Sequence, residues 1–263
     1  MTSSSQRSSQ EQFGRTATRY TTSTAHTKKN NLVDLKDFVG IDGEHFHIGV
    51  DIGTGPGFTA FSIAPHCDFV IATDVTPEML EEVRRLRHDR NAPDTQMALV
   101  AAEALPFADS SVDLITSRTA AHHFVDLKGW LREVARVLHP GGLLVMGDTC
   151  APEDHAVADW MHGIEMARDA SHIRNYSPSE WQAEVEAVGL NVTDVAMSYV
   201  LLQWPDWAER AGMKTEASTA LRDEMLSAPP SAQEAFEFAK NNDGTIDFHW
   251  DVVVVRAVKP QLA

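Results

Sequence analysis

Ile48-Gly49-Val50-Asp51-Ile52-Gly53-Thr54-Gly55-Pro56-Gly57 is the stretch whose reading decides the fold. An apolar run, Ile48 to Ile52, leads into three glycines at alternate positions, and Phe58 to Ala64 is helix-competent. That order is a strand, a tight turn and a helix start. Glycines in the turn allow positive φ and let a ligand come close to the main chain. Asp51 stands at the strand end, where a carboxylate suits a cationic or hydroxyl-bearing ligand better than a bare phosphate.

Working outward, the same alternation recurs. Phe69 to Thr73 reads as a strand ended by Asp74, and Pro77 to Arg87 as a helix with Thr76 as its cap and Pro77 in its first turn. Met97 to Ala101 and Val112 to Thr116 read as strands and Leu127 to Leu138 as an amphipathic helix. Pro140-Gly141-Gly142 reads as a turn before a fifth strand, Leu143 to Met146. Strand and helix alternating in this way predict an α/β fold, doubly wound, with a mostly parallel sheet and helices on both faces. Beyond residue 150, helices are expected over 154–170 and over 177–188, the latter opened by a capping box of Ser177 with Glu180. Val192 to Leu202 and Thr245 to Ala257 read as two strands, the last antiparallel, which brings the sheet to seven strands. Residues 203–244 between them read as a largely helical insertion and a cover for a substrate. A single domain over 11–263 is expected, behind a Ser-rich, disordered tail at 1–10. Within it, 11–40 forms an N-terminal lid, 41–150 a cofactor-binding half and 151–263 a substrate-side half.

Composition narrows the partners. A hydrophobic content of 43% in 263 residues supports one sizeable core. A net charge of −16 repels a nucleic-acid backbone. The short basic run at Arg84, Arg85 and Arg87 lies among Glu78, Glu81 and Glu82 on one helix and reads as a solvated face. Cys67 and Cys150 are too few for a disulfide framework, there is no apolar run of membrane-spanning length, and the N-terminus is no secretory signal, so a cytoplasmic protein is expected. The His45/His47 and His249 neighbourhoods lack the spacing of a zinc site.

Four places carry chemistry. The glycine turn alone is a weak signal, and a dinucleotide fingerprint would want glycine where Phe58 stands, which disfavours a nicotinamide enzyme. Asp74 ends the second strand, where an acid can accept from both hydroxyls of a ribose. Ala102-Glu103-Ala104-Leu105-Pro106-Phe107 follows the third strand, where backbone can read an adenine edge while Leu105 and Phe107 pack beneath. Ser117-Arg118-Thr119-Ala120-Ala121-His122-His123-Phe124 closes the fourth strand, where a histidine can serve as a general base. Two adjacent histidines on a strand or helix cannot both face one pocket, so one of the pair is expected to be structural.

Val50 to Gly57, Asp74, Ala102 to Phe107 and Val137-Leu138-His139-Pro140-Gly141-Gly142, in that order and at that spacing, resemble the successive motifs of class I S-adenosylmethionine-dependent methyltransferases. The nearest likeness is to the ubiquinone/menaquinone-type branch acting on small molecules, and it covers residues 10 to 150. Gln12-Phe13-Gly14-Arg15 with Tyr20, and Arg168 to Ser177, resemble further segments of that branch. The resemblance implies that S-adenosylmethionine is the cofactor and that Asp51 lies near its methionyl amino group. Gly53, Thr54, Gly55 and Gly57 would floor the cofactor, Asp74 would hold the ribose, and Val75, Met79, Ala102 and Glu103 would flank the adenosyl group. Arg15, Arg118 and Thr119 would complete the site. Ala101 departs from the acid that many relatives place before the Ala-Glu pair. For the acceptor's proton, His123, His122 and Tyr20 are the implied candidates, with His123 first. Trp160, Met161, Trp204, Trp207 and Met213 point to an aromatic or lipid-like small-molecule acceptor. The alternative is a protein of the same fold that binds the cofactor without transferring methyl, as a cyclase, an eliminase or a regulatory binder.

Overall fold

The computed structural model describes residues 10–15, 17–18, 35–39 and 43–261. Tyr20, the tail at 1–9 and much of the expected N-terminal lid lie outside these residues. Residues 10–15 are helical, and α1 (Leu35–Val39) precedes the sheet. The first half then runs β1 (Phe46–Ile52), α2 (Phe58–Ile63), β2 (Cys67–Asp74), α3 (Pro77–Leu86), β3 (Gln96–Leu99), β4 (Val112–Arg118), α4 (Leu127–Val137) and β5 (Leu138–Thr149). The second half adds α5 (His155–Arg168), α6 (Pro178–Ala187), β6 (Asn191–Trp204), α7 (Asp206–Arg210), α8 (Thr215–Leu226), α9 (Pro230–Ala235), β7 (Ala239–Lys240) and β8 (Ile246–Val258).

The strand order is β3-β2-β1-β4-β5-β8-β6, with β7 pairing β8 off this path. Strands β1 to β5 pair in parallel, and β8 runs antiparallel to both β5 and β6. The α/β class, the parallel body and the antiparallel last strand are therefore as the alternation predicts. The sheet has eight strands rather than seven, because the end of the 203–244 segment adds the two-residue β7. That segment holds three short helices, the last opening at Pro230.

The continuous apolar run of β8 shows why both faces are covered. Trp250, Val252 and Val254 point into one core cluster with Phe61, Ile63, Val83 and Leu114. Val253 and Val255 point into the other with Val50, Ile52, Trp130, Leu131 and Trp181. Strand side chains alternate between faces, so an unbroken run has two cores to fill.

One turn does not form. Pro140-Gly141-Gly142 lies within β5 as a register shift against β4. Gly141 takes φ +89°, and its N–H donates to Lys259 O while Gly142 O accepts from Lys259 N. The bonds to Lys259 hold the stretch within the strand. The capping box at Ser177 does form, with Ser177 Oγ accepting from Glu180 N and Glu180 returning to Ser177 N. Among the described residues, no helix is long and apolar enough to cross a membrane. The chain leaves β1 for β2 on one side and comes back, after β3, to β4 on the other. The carboxyl ends of β1 and β4 thus flank the switch point at which open α/β sheets bind ligands.

Candidate active site

The turn after β1 is shaped by its glycines. Gly53, Gly55 and Gly57 have φ of +67°, +53° and +94°. A Cβ on Gly53 would stand 2.6 Å from Ala120 Cβ, so this position admits the loop after β4. A Cβ on Gly55 would meet nothing within 4 Å, because that position faces an open cleft. Gly57 serves packing: its Cβ would lie 2.7 Å from the Phe61 ring, and it is not on the cleft wall. Thr54 N donates to Thr73 O, which ties the turn to β2.

The cleft and its mouth, which opens to solvent, hold about 960 Å³ of empty space. Gly53, Thr54, Gly55, Asp74, Val75, Met79, Ala102, Glu103, Arg118 and Thr119, ten of the residues named from the sequence, line it. Asp74 stands at the tip of β2, where Oδ2 accepts from Gly55 N and Oδ1 from Thr76 N. Burial raises its pKa, and these N–H donors oppose the rise. Glu103 Oε1 accepts from Val125 N at 3.0 Å, which joins the loop after β3 to the segment that follows the histidine turn. Arg118 Nε donates to Thr59 Oγ1. The wall also includes Phe13, Phe58, Val100 and Phe124, whose apolar faces offer stacking and packing surface.

Besides Gly57, two expected wall residues are elsewhere. Asp51 is fully buried beneath the turn. It is the register partner of Thr116 on β4, and its carboxylate turns across the sheet to accept from Thr116 Oγ1 at 2.7 Å. Desolvation pushes Asp51 up to about 6, against the pull of the nearby Thr54 and Thr116 hydroxyls and of Arg118. Arg15 turns back along its own helix, donating from Nε to Glu11 O, and borders a surface hollow with Glu78.

These residues fit S-adenosylmethionine. The space above Gly55 admits a ligand against the backbone, and Asp74 presents a carboxylate at the tip of β2. Asp51 Oδ2 and Ser117 Oγ are buried oxygens without a hydrogen-bond partner among the described residues, beside the end of the cleft that a cationic amino acid would take.

A second cavity adjoins the first and shares Phe13, Thr119 and His123 with it. Its floor and far wall are Val200, Leu202, Trp207, Trp250 and Val252, and its polar residues include His122, Thr149, Glu165, Arg168 and Arg210. Both histidines of the pair line it. The expectation that only one could do so assumed a strand or helix, whereas Ala121–His123 is a single 3-10 turn. The two rings lie 4.1 Å apart at an interplanar angle of 47°. His123 Nδ1 lies 3.1 Å from Ser171 O, and Phe13 meets the His123 ring edge-on at 4.8 Å. His122 Nδ1 lies 2.6 Å from Asp148 Oδ1, and Asp148 Oδ2 accepts from His122 N. Burial and the neighbouring His122 push His123 down to about 4. Burial would lower His122 too, but Asp148, with Glu165 and Asp169, overrides it and raises its pKa.

Sequence reasoning named Trp207 but missed Asp148, Glu165, Arg210 and the β6 and β8 wall. Asp148 carried a usable signal: it is an acid near the end of β5, as Asp74 is of β2. Trp160, Trp204 and Met213 pack against the core cluster, and Met161 lies inside it.

Comparison with known proteins agrees with this geometry. Residues 50–146 match the model of a methyltransferase domain. The chain is 33% identical over 214 residues to the uncharacterized methyltransferase YcgJ of Bacillus subtilis, covering 81% of this chain and 85% of that protein. The YcgJ crystal structure superposes with a TM-score of 0.81 over 87% of this chain and 99% of that chain. The 27-O-demethylrifamycin SV methyltransferase of Amycolatopsis mediterranei is 30% identical over 64% of each chain. The fold is also that of Haemonchus contortus phosphoethanolamine N-methyltransferase 2, solved with S-adenosylhomocysteine: TM-score 0.64, 17% identity, 96% of this chain and 60% of that one. The nicotinamide alternative falls with these matches. A glycine turn over an open cleft, an acid at the tip of β2 and relatives along most of its length place this chain among the class I S-adenosylmethionine-dependent methyltransferases.

Proposed function

We propose that the enzyme methylates a small molecule held in the second cavity. The observation that carries this reading is the shared wall: Phe13, Thr119 and His123 border both the cofactor cleft and the second cavity. A molecule in one space can therefore meet a methyl group presented from the other. The cavity is enclosed by β6, β8 and α7, and its wall of Val200, Leu202, Trp207, Trp250 and Val252 favours an apolar, aromatic or lipid-like body. The rifamycin methyltransferase among the relatives, named for a small-molecule acceptor, supports the same class. The net charge of −16 argues against a nucleic-acid acceptor.

S-adenosylmethionine supplies a methyl group already activated on a sulfonium. The chain's own residues bind and align. Asp74 accepts from the ribose hydroxyls, and Gly53, Thr54 and Gly55 let the ligand lie against the main chain. Val75, Met79 and Ala102 pack on the adenosyl group, with Glu103 beside it. Asp51 acts from below the turn as a buried negative charge for the amino group, and Arg118 and Thr119 shape the end facing the acceptor. Holding both reactants in one geometry is most of what a reaction with an activated donor requires.

The test uses S-adenosylmethionine carrying a labelled methyl group, incubated with the protein and a cell extract divided into small molecules, protein and nucleic acid. Label in the small-molecule fraction is the expected result. Label confined to protein or nucleic acid, or label that stays on the cofactor while S-adenosylhomocysteine still binds, overturns the proposal.

A further inference from the structure

Resting on the methyl-transfer reading above, we propose that the acceptor is a hydroxyl compound and that His122, held by Asp148, takes its proton. The geometry points to His122 rather than to His123, which the sequence puts first. Asp148 is 1% exposed and near the end of β5, directly behind the histidine turn. It grips His122 twice, accepting from the backbone N–H at 3.0 Å and facing Nδ1 at 2.6 Å. Thr149 N also donates to its Oδ1 at 2.8 Å, which fixes the carboxylate in turn. A carboxylate accepts, so the proton of a neutral His122 sits on Nδ1 and Nε2 is left bare. Nε2 makes no hydrogen bond among the described residues, and the ring lines the second cavity but not the cofactor cleft. His123 lacks this support. Its Nδ1 meets the backbone oxygen and hydroxyl of Ser171, and among the described residues Asp169 and Asp148 act on it without a hydrogen bond to its ring.

A base, its orienting carboxylate and an adjoining space for a reacting atom are the parts that activate a weak oxygen nucleophile. A neutral amine already has an attacking lone pair, and a thiol ionises near neutrality without help. Of these three, the hydroxyl is the group that most needs its proton removed as it reacts. In the step, the acceptor O–H bond breaks and its proton goes to His122 Nε2. The oxygen's electron pair forms the bond to the transferred methyl carbon, and the electrons of the broken carbon–sulfur bond remain on the departing thioether. Asp148 touches no reactant; it is a positioning residue that fixes the tautomer and stabilises the imidazolium.

Other charged groups lie near His122, among them Arg210 of α7 across the shared cavity. Glu165 and Arg168 lie on α5, Asp169 and His172 on the segment after it, and His123 on its own turn. The carboxylates among them favour imidazolium, so transfer is expected to rise with pH as His122 loses its proton. Replacing Asp148 removes the strongest of these pulls and moves that rise to lower pH.

The test has two arms. In the first, nitrogen NMR of histidine-labelled protein with bound S-adenosylhomocysteine reads the tautomer of His122 without any acceptor. At a pH high enough to leave His122 neutral, the expected result is a proton on Nδ1 and a bare Nε2, with the preference lost in Asp148→Asn. A proton on Nε2 in the native protein overturns the assignment. In the second, 1-naphthol, 1-naphthylamine and 1-naphthalenethiol, one apolar skeleton with three nucleophiles, are offered with labelled cofactor. Transfer to the naphthol is expected, with kcat at least 100-fold lower in His122→Gln and 10-fold or more lower in Asp148→Asn. S-adenosylhomocysteine affinity should stay within threefold in both variants. The rising limb of the pH profile should vanish in His122→Gln and persist in His123→Gln. Transfer to the amine or thiol but not the naphthol, or a pH limb unchanged in His122→Gln, overturns the proposal while leaving the methyl-transfer reading in place. Transfer to none of the three by a protein that binds S-adenosylhomocysteine overturns the hydroxyl class, and the extract experiment above then decides the methyl-transfer reading independently.

Discussion

Asp74 and Asp51 are both acids at strand ends, yet their surroundings give them different work. Asp74 keeps its carboxylate at the cleft while bonding two backbone N–H groups. Charge-assisted hydrogen bonds to ribose hydroxyls are each worth about 1.5–3 kcal/mol. Asp74→Ala, which removes the bonds to both, is therefore expected to weaken S-adenosylhomocysteine binding by roughly 100-fold or more by calorimetry; affinity within twofold of the native protein would exclude the ribose role. Asp51 is buried with one oxygen unpartnered. Because burial raises its pKa from 3.8 to about 6, the folded protein holds a proton there that the unfolded chain has released. Stability contributed by this group falls as pH rises between those two values, by roughly 3 kcal/mol in all. Asp51→Asn is expected to match the native protein near pH 4 and exceed its stability above pH 6 in urea denaturation of the cofactor-free protein. Equal stability of the two at pH 7.5 would contradict the assignment.

At the scale of elements, the glycine turn and the helix caps separate folding from binding. A left-handed φ costs a non-glycine residue about 1–2 kcal/mol. Gly53→Ala adds a collision with Ala120 to that cost, whereas Gly55→Ala puts its methyl into the cleft. The expected outcome is a larger fall in Tm for Gly53→Ala, and for Gly55→Ala a folded protein that binds S-adenosylhomocysteine at least 10-fold more weakly. Ser177→Ala removes the cap of α6 and should cost about 1 kcal/mol of stability with cofactor affinity unchanged. These elements were legible in the sequence because their signals are local. Glycine spacing, a proline in the first turn and a serine three residues before a glutamate each act within one turn of chain. Pro140 to Gly142 was misread because its conformation is set by Lys259, more than a hundred residues away.

At the scale of the molecule, the same distinction divides the two halves. The cleft proposed for the cofactor is built at the switch point of a parallel sheet from turns that follow consecutive strands, so a linear reading recovers most of its wall. Asp51 was placed on that wall because the sequence shows a strand end but not the hydroxyl of Thr116 across the sheet. The second cavity draws on α5, α7, β6 and β8, segments brought together only by the antiparallel end of the sheet. Nothing local in Val200 or Val252 distinguishes a cavity wall from ordinary core. The pairing of His122 with Asp148 likewise depends on β4 and β5 lying side by side.

The central claim is that the acceptor occupies this second cavity while the cofactor occupies the first. Val200 lines only the second cavity, so Val200→Trp fills it without touching the cleft. The most direct measurement is methyl transfer from labelled S-adenosylmethionine into the small-molecule fraction, compared between the native protein and Val200→Trp at matched cofactor saturation. A loss of transfer of 10-fold or more, with S-adenosylhomocysteine affinity within twofold, is the predicted result. Undiminished transfer by a folded Val200→Trp protein would contradict it.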